Sequence, residues 1–128
     1  MNVNDIAERQ YLSLRTFRRD GSAVDTAVWA AGLERAIVVF TDGTSWKVKR
    51  IRRNPACAVA VCDAFGNVSG DWTSGEARIV DDAAREEAAY ASLRAKYGVR
   101  MKVADVGSWI AGRIGRRKII EITFPEHA

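Results

Sequence analysis

Leu12 and Leu14 alternate with Ser13 and Arg15 in the run Tyr11-Leu12-Ser13-Leu14-Arg15-Thr16-Phe17, a period of two that predicts a half-buried strand. Asp20-Gly21 follows as a hairpin turn, because glycine supplies the positive φ that tight hairpins need. On the returning strand Val24, Thr26 and Val28 share one face, with Trp29 on the other. A turn near Gly32 leads into a third strand, Ala36-Ile37-Val38-Val39-Phe40-Thr41. The pattern then changes. Thr44 or Ser45 can cap a short basic helix over Ser45 to Asn54, and Pro55 ends it because the residue before a proline is driven out of helical geometry. Ala56-Cys57-Ala58-Val59-Ala60-Val61-Cys62 reads as a compact apolar strand, and Phe65-Gly66-Asn67 turns the chain into a long strand from Val68 to Val80, bent or bulged at Gly70 and Gly75.

Helical spacing appears at three places. Asp81 or Asp82 caps a helix in which Tyr90, Leu93 and Tyr97 recur along one face and Gly98 closes the C-terminus. A short helix is expected over Asn4 to Gln10, capped by Asn4 or Asp5, and another at Val103, Val106, Ile110 and Ile114, weakened by Gly107 and Gly112. The strand Lys118 to Phe124 completes a chain read as mainly β with flanking helices, one domain over residues 1–128, with no repeat or linker.

Composition supports a globular chain: 48% hydrophobic and 28% charged residues give it enough apolar surface to build a core. No apolar run is long enough to span a bilayer, and the first residues carry neither a basic region nor a hydrophobic stretch, so a cytoplasmic protein without membrane partners is expected. Cys57 and Cys62 lie five apart in one strand, on opposite faces, and are not expected to pair. The net charge of +4 favours an anionic partner without saying which.

The single histidine, His127, sits beside the C-terminus, where it is a poor base for Ser-His-Asp or Cys-His chemistry. No His/Cys cluster has zinc spacing, and neither a G-x-G-x-x-G fingerprint nor a P-loop is present. No catalytic side chain or metal ligand is therefore named, and demanding chemistry must come from a bound molecule. The segment from Thr41 to Pro55 combines hydroxyls, a glycine turn, a helix N-terminus with free N–H groups, and a run of cations, which together are the parts of a phosphate site. Lys47, Lys49 and Arg50 can reach an anion near the first turn; Arg52 and Arg53 lie further on, for solubility or a longer acidic tail. Most charge runs are solvated helix faces, here with Val48 and Ile51 inward; the preceding strand, the hydroxyl-rich turn and the stop at Pro55 favour the anion site.

Through Leu12-Ser13-Leu14-Arg15-Thr16-Phe17-Arg18-Arg19-Asp20-Gly21, Thr26-Ala27-Val28-Trp29 and, most strongly, Thr41 through Pro55, the sequence resembles the pyridoxamine 5'-phosphate oxidase-like flavin and deazaflavin oxidoreductases. It is most similar to their small actinobacterial branch that depends on the deazaflavin coenzyme F-420. The resemblance implies a split β-barrel, FMN-binding-like, of about six antiparallel strands, forming a homodimer with the cofactor between subunits. It carries Thr26, Ala27 and Val28 over as neighbours of the cofactor ring, and Thr41, Ser45, Lys47, Lys49 and Arg50 as phosphate contacts. Trp72 is a further candidate from the other subunit, although barrel or dimer packing suits Trp72 and Val28 as well. F-420, with a phosphodiester and an oligoglutamate tail, suits the run of cations. FMN is the alternative, and the strand Ala23 to Ala31 lacks the second cationic cluster expected of FMN-using members. The implied activity is hydride transfer between the cofactor and a small organic substrate. Competing readings are a non-catalytic cofactor carrier and, third, a nucleic-acid-binding module suggested by Trp46 among the cations.

Overall fold

The computed structural model describes residues 10–98 and 117–124. Seven antiparallel strands form one sheet in the order β2-β1-β5-β6-β7-β4-β3. They are β1 (Tyr11–Phe17), β2 (Ala23–Val28), β3 (Ala30–Leu33), β4 (Ala36–Asp42), β5 (Ala56–Cys62), β6 (Thr73–Val80) and β7 (Arg117–Thr123). The described helices are α1 (Trp46–Arg53) and α2 (Ala83–Tyr97). Neither is long and apolar enough to cross a membrane.

The sheet order explains why this sequence makes a barrel. Its two terminal strands, β2 and β3, are consecutive in the chain and separated only by Trp29. One bent strand therefore pairs with β1 through its first half (Leu12↔Val28, Leu14↔Thr26, Thr16↔Val24) and with β4 through its second (Ala30↔Val39, Ala31↔Val38). Counted as one, these halves close a six-membered antiparallel ring, split where neither half pairs with the other.

Alternation sorts the side chains. Leu12, Leu14, Ile37, Val39, Cys57, Val59, Ala77, Ile79, Ile120 and Ile122 fill the interior. Val48 and Ile51 join them from α1, so the basic helix plugs one mouth of the barrel with its apolar stripe. Outside, Ala31, Val38, Val80 and Ile119 pack under Ala89, Leu93 and Tyr97 of α2; Leu93 and Tyr97 belong to the expected stripe, whose third member, Tyr90, is only partly buried.

The strand expected over Ala23 to Ala31 is interrupted at Trp29 and resumes as β3, which runs on to Leu33. Ala30-Ala31-Gly32-Leu33 has no β-branched residue, and its turn lies beyond Gly32, at Glu34-Arg35, with Glu34 at φ 57°. What α2 gives this strand is hydrogen bonding. The buried Tyr97 hydroxyl accepts from Ala30 N (3.0 Å) and sits 2.9 Å from Ala30 O and 2.7 Å from Gln10 O as a donor. Lys96 Nζ also donates to Ala30 O, and Ser92 Oγ donates to Gly32 O. Helical spacing thus caps alternate residues of an edge that no described strand covers.

The strand expected from Val68 begins only at Thr73; Val68 contributes an isolated bridge to Cys62. Gly75 is required by close approach: a Cβ there would lie 2.7 Å from Thr123 O and 3.1 Å from the Phe124 ring. Buried Glu121 accepts from Arg78 Nε (3.0 Å) and Arg85 Nε (2.6 Å), tying α2 to β6 and β7. The helix expected from Asn4 and the pattern Val103 to Ile114 lie outside the described residues, apart from Gln10.

Candidate functional site

At the mouth plugged by α1, the β1–β2 turn and the helix meet around a cleft of about 440 Å³ lined by Arg18, Arg19, Trp46, Arg50 and Arg53. Each side of it is built locally. Gly21 (φ 88°) makes the hairpin turn, Asp20 Oδ1 accepts from Ser22 N (2.9 Å) and Ser22 Oγ (2.7 Å), and Arg18 N donates to Ser22 O (2.9 Å). This fixes the backbone that carries Arg18 and Arg19. On the helix, Trp46, Arg50 and Arg53 stand at i, i+4 and i+7, one face of α1, while Val48 and Ile51 face the core.

Of the two cap candidates Ser45 is the N-cap: its Oγ accepts from Val48 N at 3.5 Å and lies 3.5 Å from Thr41 Oγ1. Thr44 instead donates its hydroxyl to Asp42 Oδ1 at 2.7 Å. Asn54 N donates to Arg50 O (2.8 Å) and ends the helix before Pro55. The cations of the last turn, Arg50, Arg52 and Arg53, oppose the negative end of the helix dipole.

The charges in the cleft crowd one another. Burial, reinforced by Arg18 and Arg53, holds the Arg50 guanidinium below its ordinary pKa. Arg50 Nε donates to the buried Thr16 hydroxyl at 2.9 Å, and an Arg53 terminal nitrogen donates to Phe17 O at 3.0 Å. No carboxylate is among the described lining residues. Four arginines line a site that a negatively charged ligand would relax, with Asp20 of the hairpin as the acidic neighbour of Arg18.

The residues singled out from sequence separate in space. Thr41 and Ser45 come together at the start of α1, and Arg50 enters the cleft. Lys47 is half-buried beside Arg50 and its pKa is lowered, chiefly by burial and then by Arg50, but it does not line the cleft. Lys49 lies outside it as well, with its ammonium 4.4 Å from the Trp46 ring centre. Thr26 and Val28 share the inner face of β2 with Leu14 and Leu12, Val28 being buried in the core, while Ala27 pairs with Ser13 on the opposite face. Trp72 is not among the cleft's lining residues: Arg15 stacks on its ring at 3.9 Å while holding Asp25 through two hydrogen bonds of 2.8 and 3.0 Å.

Sequence reasoning did not assign Arg18, Arg19, Trp46 or Arg53 to this site. The i, i+4, i+7 spacing on α1 was a usable signal for Trp46 and Arg53; the two hairpin arginines become neighbours only through the β1–α1 packing. Arg52, next to Arg53, turns away toward Asp81 at 3.9 Å.

The closed sheet with α1 plugging one mouth defines a split-barrel fold of recognisable type. The model of the pyridoxamine 5'-phosphate oxidase family matches residues 3–126, and the chain belongs to that family. No curated protein matches its sequence. Among solved structures, it is similar to the conserved hypothetical protein Rv2991 of Mycobacterium tuberculosis, with a TM-score of 0.70 and 21% identity over 97% of this chain and 81% of that one. It is similar also to an F420 reductase (TM-score 0.60, 21% identity, 94% and 90% covered). A third is ChuZ of Campylobacter jejuni (TM-score 0.68, 11% identity, 93% and 49% covered). At these identities the likeness is one of fold.

Proposed function

We propose that the protein is an oxidoreductase of the small, actinobacterial-type deazaflavin branch, moving a hydride between coenzyme F-420 and a small organic substrate, with FMN as the alternative cofactor. The observation that carries this reading is that Arg18, Arg19, Arg50 and Arg53 line one cleft with no carboxylate among its described lining residues. Family membership and the shared fold with an F420 reductase support it.

The donor set fits an anionic arm: guanidiniums match phosphate and carboxylate oxygens in geometry as well as charge. A ligand bearing several negative charges satisfies more of the four arginines than a lone phosphate, which favours F-420 over FMN. When bound, the deazaflavin ring supplies the hydride chemistry that no described side chain offers. The chain's own share is binding, orientation and exclusion of water. Arg50 and Arg53, fixed by Thr16 and Phe17, anchor the arm, and anchoring far from the reacting ring turns binding into orientation. On β2, the partly buried Thr26 and Ala27 are assigned to the ring's surroundings, while Val28 is taken up by the core. A homodimer, with Trp72 turned toward the partner, belongs to the same reading.

Fluorescence titration with F-420 and with FMN, followed by oxidation of reduced F-420 with candidate acceptors, tests it. Binding of F-420 tighter than FMN, with turnover on some acceptor, is expected. Tight binding without turnover on any acceptor points to a cofactor carrier. Failure to bind either cofactor, together with salt-sensitive binding of single-stranded DNA, would overturn the reading in favour of nucleic acid.

A further inference from the structure

Thr16 is out of character with its surroundings. It lies on the inner row of β1 after Leu12 and Leu14, is 1% exposed, and brings a hydroxyl to a row whose other members are leucines. Valine has nearly the same shape and would suit an apolar row better, because burying a hydroxyl costs free energy unless it is hydrogen-bonded. The partner it has is Arg50, whose Nε donates to Thr16 Oγ1 at 2.9 Å.

That contact decides which part of the guanidinium is left for a ligand. With Nε engaged, the two terminal nitrogens of Arg50 have no acceptor among the described residues, and the side chain lines the cleft. The next residue of β1 acts similarly on Arg53, through Phe17 O. The end of one strand thus fixes two cations before any ligand arrives, sparing rotamer entropy that binding would otherwise cost.

We propose that Thr16 is a positioning residue: by holding Arg50 at Nε it aims the paired terminal N–H groups into the cleft and gives the site its preference for phosphate oxygens. The proposal rests on the reading of the cleft as an anion site.

The test is calorimetric titration with inorganic pyrophosphate, and fluorescence titration with FMN, riboflavin, F-420 and its phosphate-free riboside. It uses the wild type, Thr16→Val, Thr16→Ser, Arg50→Lys and the Thr16→Val/Arg50→Lys double variant. Thr16→Val should weaken pyrophosphate and the phosphate-bearing cofactors about tenfold and leave the phosphate-free chromophores unchanged, whereas Thr16→Ser should stay within about twofold of wild type. On Arg50→Lys, which has no Nε–H fork to hold, Thr16→Val should add nothing. Should Thr16→Val not fold, Thr16→Ala against Thr16→Ser makes the same comparison. Unchanged pyrophosphate binding, equal losses for both kinds of chromophore, or additive losses on Arg50→Lys would overturn the role given to Thr16. Pyrophosphate binding by wild type with neither cofactor bound would sink the oxidoreductase reading and leave that role standing. Wild type that binds none of these ligands removes both.

Discussion

Replacing Tyr97 by phenylalanine removes one oxygen atom and should cost the protein about 2 kcal/mol. The hydroxyl is the acceptor for Ala30 N at 3.0 Å, and Ala30 is fully buried. Without it that N–H has no strand partner and no access to water, and an orphaned buried donor costs about 1–3 kcal/mol. Ala30 O fares better, because Lys96 Nζ still donates to it. The ring should stay in place: it stacks on Trp29 with centroids 4.8 Å apart and planes 12° apart, and phenylalanine preserves that contact. For a chain of this length about 2 kcal/mol corresponds to a fall in Tm of roughly 8 °C. Urea denaturation followed by tryptophan fluorescence measures it, and Tyr97→Leu, which also loses the stack, should fall further. A Tyr97→Phe stability within about 0.5 kcal/mol of wild type would refute the claim that α2 side chains replace a strand at the β3 edge.

Other consequences are equally specific. Gly75→Ala should cost about 1–3 kcal/mol, since the new methyl meets Thr123 O at 2.7 Å and β6 and β7 must part to admit it; an unchanged urea midpoint would contradict that packing. Burial lowers the Lys96 pKa from 10.5 to about 8. Below about pH 8 both folded and unfolded chains carry the proton and the buried charge is a liability. Between about 8 and 10.5 the folded chain holds fewer protons, so stability rises with pH. The stability difference between wild type and Lys96→Met should therefore move in favour of wild type from pH 7.5 to 9.5, and a difference that does not change with pH would contradict it.

Strong local pattern made much of the barrel legible. Leu12 and Leu14 alternate with polar residues and the apolar runs Ala36 to Thr41 and Ala56 to Cys62 read as strands; Leu12, Leu14, Ile37, Val39 and Val59 became core. The α2 stripe followed from Leu93 and Tyr97 at helical spacing. What the sequence hid was set by tertiary contacts. The Ala30–Leu33 strand carries little β-propensity of its own and depends on Ser92, Lys96 and Tyr97, some sixty residues later. In the cation run, neighbours in sequence were grouped as one phosphate site, yet each helical step turns by about 100°. That rotation sends Arg50 and Arg53 to one face with Trp46, Arg52 toward Asp81, and Lys47 and Lys49 outside the cleft. Arg18 and Arg19 reach the same place from a different hairpin, a proximity that no local pattern encodes.

The most direct test of the central claim is an equilibrium titration of F-420 against wild type, Arg50→Ala and Lys49→Ala at one fixed ionic strength. Arg50 lines the cleft and Lys49 does not, so Arg50→Ala should weaken binding by about 10- to 100-fold while Lys49→Ala stays within about threefold. Loss of binding in Lys49→Ala with Arg50→Ala unaffected would place the anion elsewhere on α1 and contradict the account.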